Sequence, residues 1–213
     1  MEYKFGRFAI HNLMLYVVLS MGIVFIVHLL GIPVISMLMF DSAAIMRGEV
    51  WRLVTFIFIP PNMSPIFIIF SLYLYWMFGS ALEAQWGTFR FNLFYLCGML
   101  GTMLGALFMG WVLTGNVVGW AFNNYINWSL FVAFAILFPN FELRLFFVLP
   151  VKIKWMALLM VVLMLWSFVT SPWWYRLTIV ISLANLLLFF YKELWMSVQQ
   201  HYKKWQWQRR HRR

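Results

Sequence analysis

The apolar residues of the chain fall into long runs, which short polar or proline-containing segments separate. A run of about 20 apolar residues is the length that an α-helix needs to cross the hydrocarbon core of a bilayer. Several runs end at a proline, which is typical of helix ends. The pattern predicts six transmembrane helices, over Asn12–Ile32, Pro65–Leu82, Phe91–Leu113, Asn124–Phe138, Trp155–Ser171 and Leu177–Tyr191.

The composition agrees with an all-α integral membrane protein. Charged residues make up 10% of the chain and hydrophobic residues 64%, whereas a soluble domain carries about a quarter charged residues. The chain has one cysteine, Cys97, so neither an intrachain disulfide nor a Cys/His zinc cluster can form. We therefore expect no metal and no cofactor.

The distribution of lysine and arginine predicts the orientation. If the N-terminus lies in the cytoplasm, thirteen of the 16 lysines and arginines fall in cytoplasmic segments. Because cytoplasmic loops carry the excess of positive charge, both ends of a six-span chain are expected inside. The predicted organisation is a cytoplasmic N-terminus (1–11), a six-helix membrane domain (12–191) and a basic cytoplasmic tail (192–213), in a multi-pass protein of a bacterial plasma membrane.

The net charge of +10 is concentrated at the membrane boundary. The tail HYKKWQWQRRHRR mixes tryptophan with basic residues, a pattern typical of segments that lie on anionic lipid. Membrane lipids are therefore the expected partners of these charges, and we expect no nucleic acid.

The segment between the first two spans has a different character. It is apolar but carries Asp41, Arg47, Glu49 and Arg52, too many charges for a transmembrane helix. Backbone at membrane depth must satisfy its polar groups within the protein. The sequence therefore predicts a folded outer loop that is embedded in the membrane.

Several short motifs occur in order along this part of the chain. They are Trp51-Arg52 in the outer loop, Gly79 and Glu83 in a G-x-x-x-E that ends the second span, and Arg90 in the R-F that opens the third. Their order and spacing resemble the rhomboid family of intramembrane serine proteases and its derlin relatives. The later segment AFAILFPNFELRLFFVLPVKIKWMAL is similar to the family's fourth-helix end, inner loop and fifth-helix start. The resemblance implies a rhomboid-like six-helix bundle in which these five residues are structural.

The catalytic residues of the family do not carry over to this chain. The position of the family's nucleophilic serine holds Asn124, and the position of its general-base histidine holds Ser182. An amide is not an acyl-accepting nucleophile. The positions of the oxyanion donors align near Phe67 and Ser71. The resemblance thus implies a relative that is not an enzyme.

Ser129 and His28 are the other candidates for a nucleophile and a base in this chain. Ser129 lies on the fourth span, more than one turn deeper than the catalytic position, and is interpreted as a small packing residue. His28 lies near the outer end of the first span and is interpreted as an interfacial or packing side chain, because a general base needs hydrogen-bond reach to its nucleophile.

The position of the family's active site is rich in amides in this chain: Asn123, Asn124, Asn127 and Asn185. Asn124 and Asn127 are three residues apart and are predicted to share a helix face. Two interpretations stay open. The amides either bind each other across helices as structural contacts, or they form a polar pocket that receives the helix of a client protein.

These observations favour a rhomboid-like pseudoprotease, a non-catalytic protein that binds transmembrane clients in quality control, trafficking or as an adaptor. The alternative is a rhomboid intramembrane serine endopeptidase with atypical catalytic residues. A small transporter is a third hypothesis. It is disfavoured because transport usually requires ionisable residues inside the spans, and the interiors of the predicted spans contain no charged residue.

Overall fold

A computed structural model describes residues 9–114, 120–121, 123–145 and 149–170, together with the single positions 176, 180 and 189. The described chain is mostly helical. The predicted sixth span, with Ser182 and Asn185, falls largely outside the described residues, and the basic tail lies wholly outside them.

The long helices of the described chain correspond to the first five predicted spans and differ from them by a few residues at the ends. They are α1 (Leu13–Leu29), α5 (Pro65–Trp86), α6 (Thr88–Thr114), α7 (Asn124–Leu137) and α8 (Ile153–Thr170). Three of them, α5, α6 over Thr88–Phe108, and α8, are long and apolar enough to cross a membrane. Helix α7, with 14 residues, reaches only about 21 Å. The fold is that of a helical membrane protein.

The segment between α1 and α5 is folded into short elements. They are α2 (Val34–Leu38), β1 (Phe40–Asp41), α3 (Ser42–Met46), α4 (Arg52–Thr55) and a 3₁₀ turn (Phe56–Phe58). The Asp41 carboxylate accepts the N–H groups of Ala43 and Ala44 at 2.9 and 3.3 Å. It therefore caps α3, whose first N–H groups have no partner within the helix.

Two small antiparallel pairings complete the described fold. Strand β1 pairs with β2 (Trp120–Ala121), so that Phe40 lies opposite Ala121. Strand β3 (Glu142–Leu145) pairs with β4 (Leu149–Lys152) in a hairpin between α7 and α8. Neither pairing was predicted from the sequence. The first one ties the outer loop to the segment that leads into α7.

Helix α5 lies at the centre of the bundle and packs against α1, α6 and α7. Its Phe78 ring contacts the rings of Phe131 and Phe134 on α7, with centroids 5.6 and 4.6 Å away. On the α1 side, Met14 fills the space that a Cβ at Gly79 would occupy. Helix α8 is the least covered of the three, with 11% of it buried, against 22% of the corresponding window of α5 and 44% of that of α6.

Candidate functional site

The Gly79-x-x-x-Glu83 motif joins the end of α5 to the beginning of α1. The Glu83 Oε1 atom accepts the backbone N–H of Asn12 at 3.0 Å. Asn12 has a left-handed backbone, with φ 55°, and directly precedes α1. One helical turn away, Gly79 lets the Met14 side chain approach the α5 backbone. Gly79 thus allows the close approach of α1 and α5, and Glu83 binds the residue that directly precedes α1.

Arg90 connects the beginning of α6 to the predicted sixth span. One of its Nη atoms donates to the carbonyl oxygen of Phe189 at 3.0 Å. Its guanidinium also lies over the Trp86 ring, 5.6 Å from the centroid. Arginine suits this position because its planar guanidinium can donate hydrogen bonds and stack on an aromatic ring at the same time.

Arg52 organises the outer loop. Its side chain is buried, with 8% of the residue exposed, and Nη1 donates to the carbonyl oxygens of Ser36 and Met39 at 2.6 and 3.0 Å. Nε and Nη2 both contact Oε2 of Glu49, at 2.7 and 2.6 Å. The guanidinium fork therefore satisfies two loop carbonyls and one carboxylate together. Trp51 precedes α4 and exposes half of its surface.

The sequence analysis did not assign Glu49 as the partner of Arg52. The pair could have been predicted from its spacing of three residues, because side chains three residues apart meet on one turn of a helix. Asn62 is a second residue that was missed. Its Nδ2 donates to the Ser71 hydroxyl at 2.8 Å, and this hydroxyl donates to the Phe67 carbonyl at 2.8 Å.

Asn123 binds the outer loop from the beginning of α7. It is 1% exposed, and Nδ2 donates to the carbonyl oxygens of Ile57 and Ile59 at 3.0 and 2.7 Å. These carbonyls lie where the 3₁₀ turn gives way to irregular chain, where regular helical hydrogen bonding stops. Asn123 therefore acts as a structural contact between two parts of the chain.

The other two amides of α7 lie in opposite environments. Asn124, at the nucleophile position of the resemblance, is exposed, whereas Asn127 is 2% exposed. Asn124 and Asn127 were predicted to share a helix face, but only Asn127 points into the buried part of the bundle. The buried pair is Asn123 and Asn127, four residues apart, because one residue of helix turns a side chain by about 100°.

Asn127 is a buried amide that has no hydrogen-bond partner within the described chain. Neither its Nδ2 nor its Oδ1 contacts a donor or acceptor among the residues that the structure describes. Such a group normally has a partner, since burying it alone costs about 1–3 kcal/mol. Asn185, the predicted fourth member of this amide group, lies outside the described residues.

The hydroxyl of Ser129 is bonded within its own helix. Its Oγ donates to the Ile126 carbonyl at 2.8 Å and the residue is buried, a geometry that suits a packing residue of a helix interior. His28 lies half-buried in the last turn of α1. Among the described residues, no cluster of three or more His, Cys, Asp or Glu side chains is placed to hold a metal ion.

Comparisons of the chain with protein-family models, with curated proteins and with solved structures found no match.

Proposed function

We propose that this chain is a rhomboid-like pseudoprotease, a six-span, non-catalytic protein that binds transmembrane segments of other membrane proteins. The observation that carries the proposal is the buried Asn127 amide, which has no partner within the described chain. In lipid, a polar side chain gains most from another polar group, because the surrounding hydrocarbon offers none. A client helix that packs beside the exposed Asn124 and displaces the side chains covering Asn127 supplies such a group, in a polar side chain or an unsatisfied carbonyl.

The exposed Asn124 supports a binding role over a catalytic one. It stands at the position of the family's nucleophile, one turn from Asn127, and its amide cannot form an acyl-enzyme. The clients proposed here are membrane proteins in quality control, trafficking or adaptor complexes. The proposed location is a bacterial plasma membrane, with the basic tail on anionic lipid.

Photo-crosslinking from position 124 in native membranes tests client binding. The crosslinker reports a neighbouring helix, and the variable is the amide at position 127. We expect Asn127→Leu, which keeps the size but removes the polar group, to reduce the client adducts several-fold. Ser129→Ala is the matched control, because its hydroxyl is already bonded to its own helix, and it should leave the adducts unchanged. Equal adducts in wild type and Asn127→Leu would contradict the proposal.

A cleavage assay separates the pseudoprotease from the alternative endopeptidase. The purified protein, in detergent and in liposomes, should not cut transmembrane substrates that an active rhomboid cuts. Asn124→Ser combined with Ser182→His should also fail or give only a trace of cleavage, because one missing oxyanion donor alone typically costs about 10²–10³ in rate. Wild-type cleavage that is lost on changing Ser129 or His28 would establish the endopeptidase.

Reporter fusions test the six-span orientation, which rests on the bias of lysine and arginine. Fusions after Arg90, after Lys154 and at the C-terminus should all report the cytoplasm. An external signal at Arg90 would require a different number of spans before α6.

A further inference from the structure

An open groove runs between α7 and α8. It has a volume of about 640 Å³. It is lined by Trp128, Phe131, Val151, Trp155, Met156, Leu159, Met160, Leu163, Met164 and Ser167. From Trp155 to Ser167 the groove follows α8 for about 18 Å. The lining is thus a long apolar strip with a single hydroxyl at one end.

The size of the groove decides between two kinds of occupant. A volume of about 640 Å³ lies within the range of roughly 300–1,000 Å³ that is typical of small-molecule sites. A transmembrane helix about 10 Å wide and about 30 Å long is several times larger. The groove can therefore enclose one extended hydrocarbon chain, whereas it would receive only one face of a client helix. Three methionines in the lining suit such an occupant, because their flexible thioethers adapt to irregular shapes.

Positive charge collects at one end of the groove. Lys154 lies at the beginning of α8, with Nζ 5.6 Å from the centroid of the Trp155 ring, which lines the groove. Lys152 ends strand β4 beside the lining residue Val151, and its Nζ lies 3.9 Å from Oε1 of Glu142. Both lysines are exposed. The site is apolar along its length and cationic where α8 reaches the membrane boundary.

We propose that this groove binds an anionic phospholipid, with one acyl chain along α8 and the phosphate at Lys154. Lysine is a common phosphate ligand as a point charge. Trp155, at the mouth, has the amphipathic ring that is enriched at the level of lipid headgroups. The acyl chain gains contacts with side chains of α7 and α8 that already form a shaped surface. The site is separate from the amide site at Asn127, and neither depends on the other.

Titration of the delipidated protein with phosphatidylglycerol and with phosphatidylcholine, followed by native mass spectrometry, tests the site. Both lipids share their acyl chains, so the difference between them reports the headgroup. Lys154→Gln should weaken phosphatidylglycerol binding about fivefold, the equivalent of the ~1 kcal/mol that one basic residue contributes near anionic lipid. It should weaken phosphatidylcholine binding less, because the choline ammonium offsets the charge of the phosphate that both lipids carry, and Lys154→Arg should retain most of the preference.

Two adjacent positions of α8, Leu163 and Val162, provide a test variant and a matched control for acyl-chain binding. Leu163 lines the groove and Val162 does not, although the two are similarly exposed, at 56% and 52%. Leu163→Trp should block the groove and lower the affinity for both lipids, whereas Val162→Trp should change neither. Because both positions are exposed, both variants are expected to fold, which equal melting temperatures would verify.

Three results would overturn the proposal. They are equal affinity of the wild type for the two lipids, unchanged lipid binding in Leu163→Trp, and equal losses in Leu163→Trp and Val162→Trp. A synthetic apolar transmembrane peptide is the competing occupant. If Leu163→Trp abolished crosslinking of that peptide while lipid binding stayed intact, the groove would be a helix site instead.

Discussion

The helix pair α1–α5 and the helix α8 are both apolar along their length, yet they pack in opposite ways. Helices α1 and α5 approach so closely that Met14 fills the space above Gly79, and Glu83 binds the beginning of α1. Helix α8 leaves most of its surface uncovered. In lipid, apolar surface alone does not drive helices together, because the lipid tails are equally apolar. A small residue and a polar contact both favour close packing there, and the α1–α5 pair has both.

The outer loop extends the well-packed region, because its polar groups are satisfied by specific partners. Arg52, Asp41 and Asn123 together supply partners for loop carbonyls and N–H groups. Around α8, the corresponding feature is an apolar groove. We therefore expect stability to depend on the α1–α5 region and its loop, and lipid binding to depend on α8.

The largest loss of stability is expected for Arg52→Ala. It leaves the Ser36 and Met39 carbonyls and the Glu49 carboxylate without their donor, which should lower the free energy of unfolding by about 3 kcal/mol. Thermal unfolding in detergent measures the loss. Arg52→Lys should restore only part of it, since an ammonium cannot reproduce the guanidinium fork.

Arg47→Ala is the matched control, because Arg47 is an exposed arginine of the same loop. It should change the stability by no more than about 0.5 kcal/mol. Similar melting temperatures for the Arg52→Ala and Arg47→Ala proteins would remove the structural role of Arg52.

The second prediction concerns the close approach of α1 and α5. In Gly79→Ala the new Cβ would overlap the Cβ and Cγ of Met14, so the helices must shift, at a cost of about 1–3 kcal/mol. Gly22→Ala is the control on the same interface, since its Cβ would meet only Leu72 Cδ1 at 3.8 Å. The same unfolding assay should show a lower melting temperature for Gly79→Ala and an unchanged or slightly higher one for Gly22→Ala. The reverse order would show that the helices separate without cost.

The third prediction contrasts the two buried amides of α7. Asn123→Leu removes the donor from the Ile57 and Ile59 carbonyls and should cost about 1–2 kcal/mol. Asn127→Leu removes an amide that has no partner in the described chain, so the protein without a client should be as stable as wild type or more stable. Chemical or thermal unfolding of both variants checks the contrast. A marked loss in Asn127→Leu would mean that this amide already has a partner, and would weaken the client-binding proposal.

The extent to which the sequence predicts this structure differs between the helices and the site. The first five predicted spans correspond to α1, α5, α6, α7 and α8, because long apolar runs bounded by proline and charge are a strong signal. The pairing of β1 with β2 was not predicted, since strands of two residues depend on contacts between segments 80 residues apart. The burial of Asn123, and the exposure of Asn124, depend on the rotation of α7 in the bundle, which no local pattern determines.

The smallest effect is expected on the outer face of α8. Leu165 is 58% exposed, whereas Leu82 on α5 is fully buried, so the same leucine-to-alanine change tests the two regions directly. Leu82→Ala opens a cavity among close-packed neighbours and should cost about 2 kcal/mol or more. Leu165→Ala opens none, since lipid or detergent replaces the lost atoms, and its unfolding temperature should stay within the error of wild type. If Leu165→Ala were as destabilising as Leu82→Ala, α8 would be held as tightly as α5 and the contrast between the two regions would be wrong.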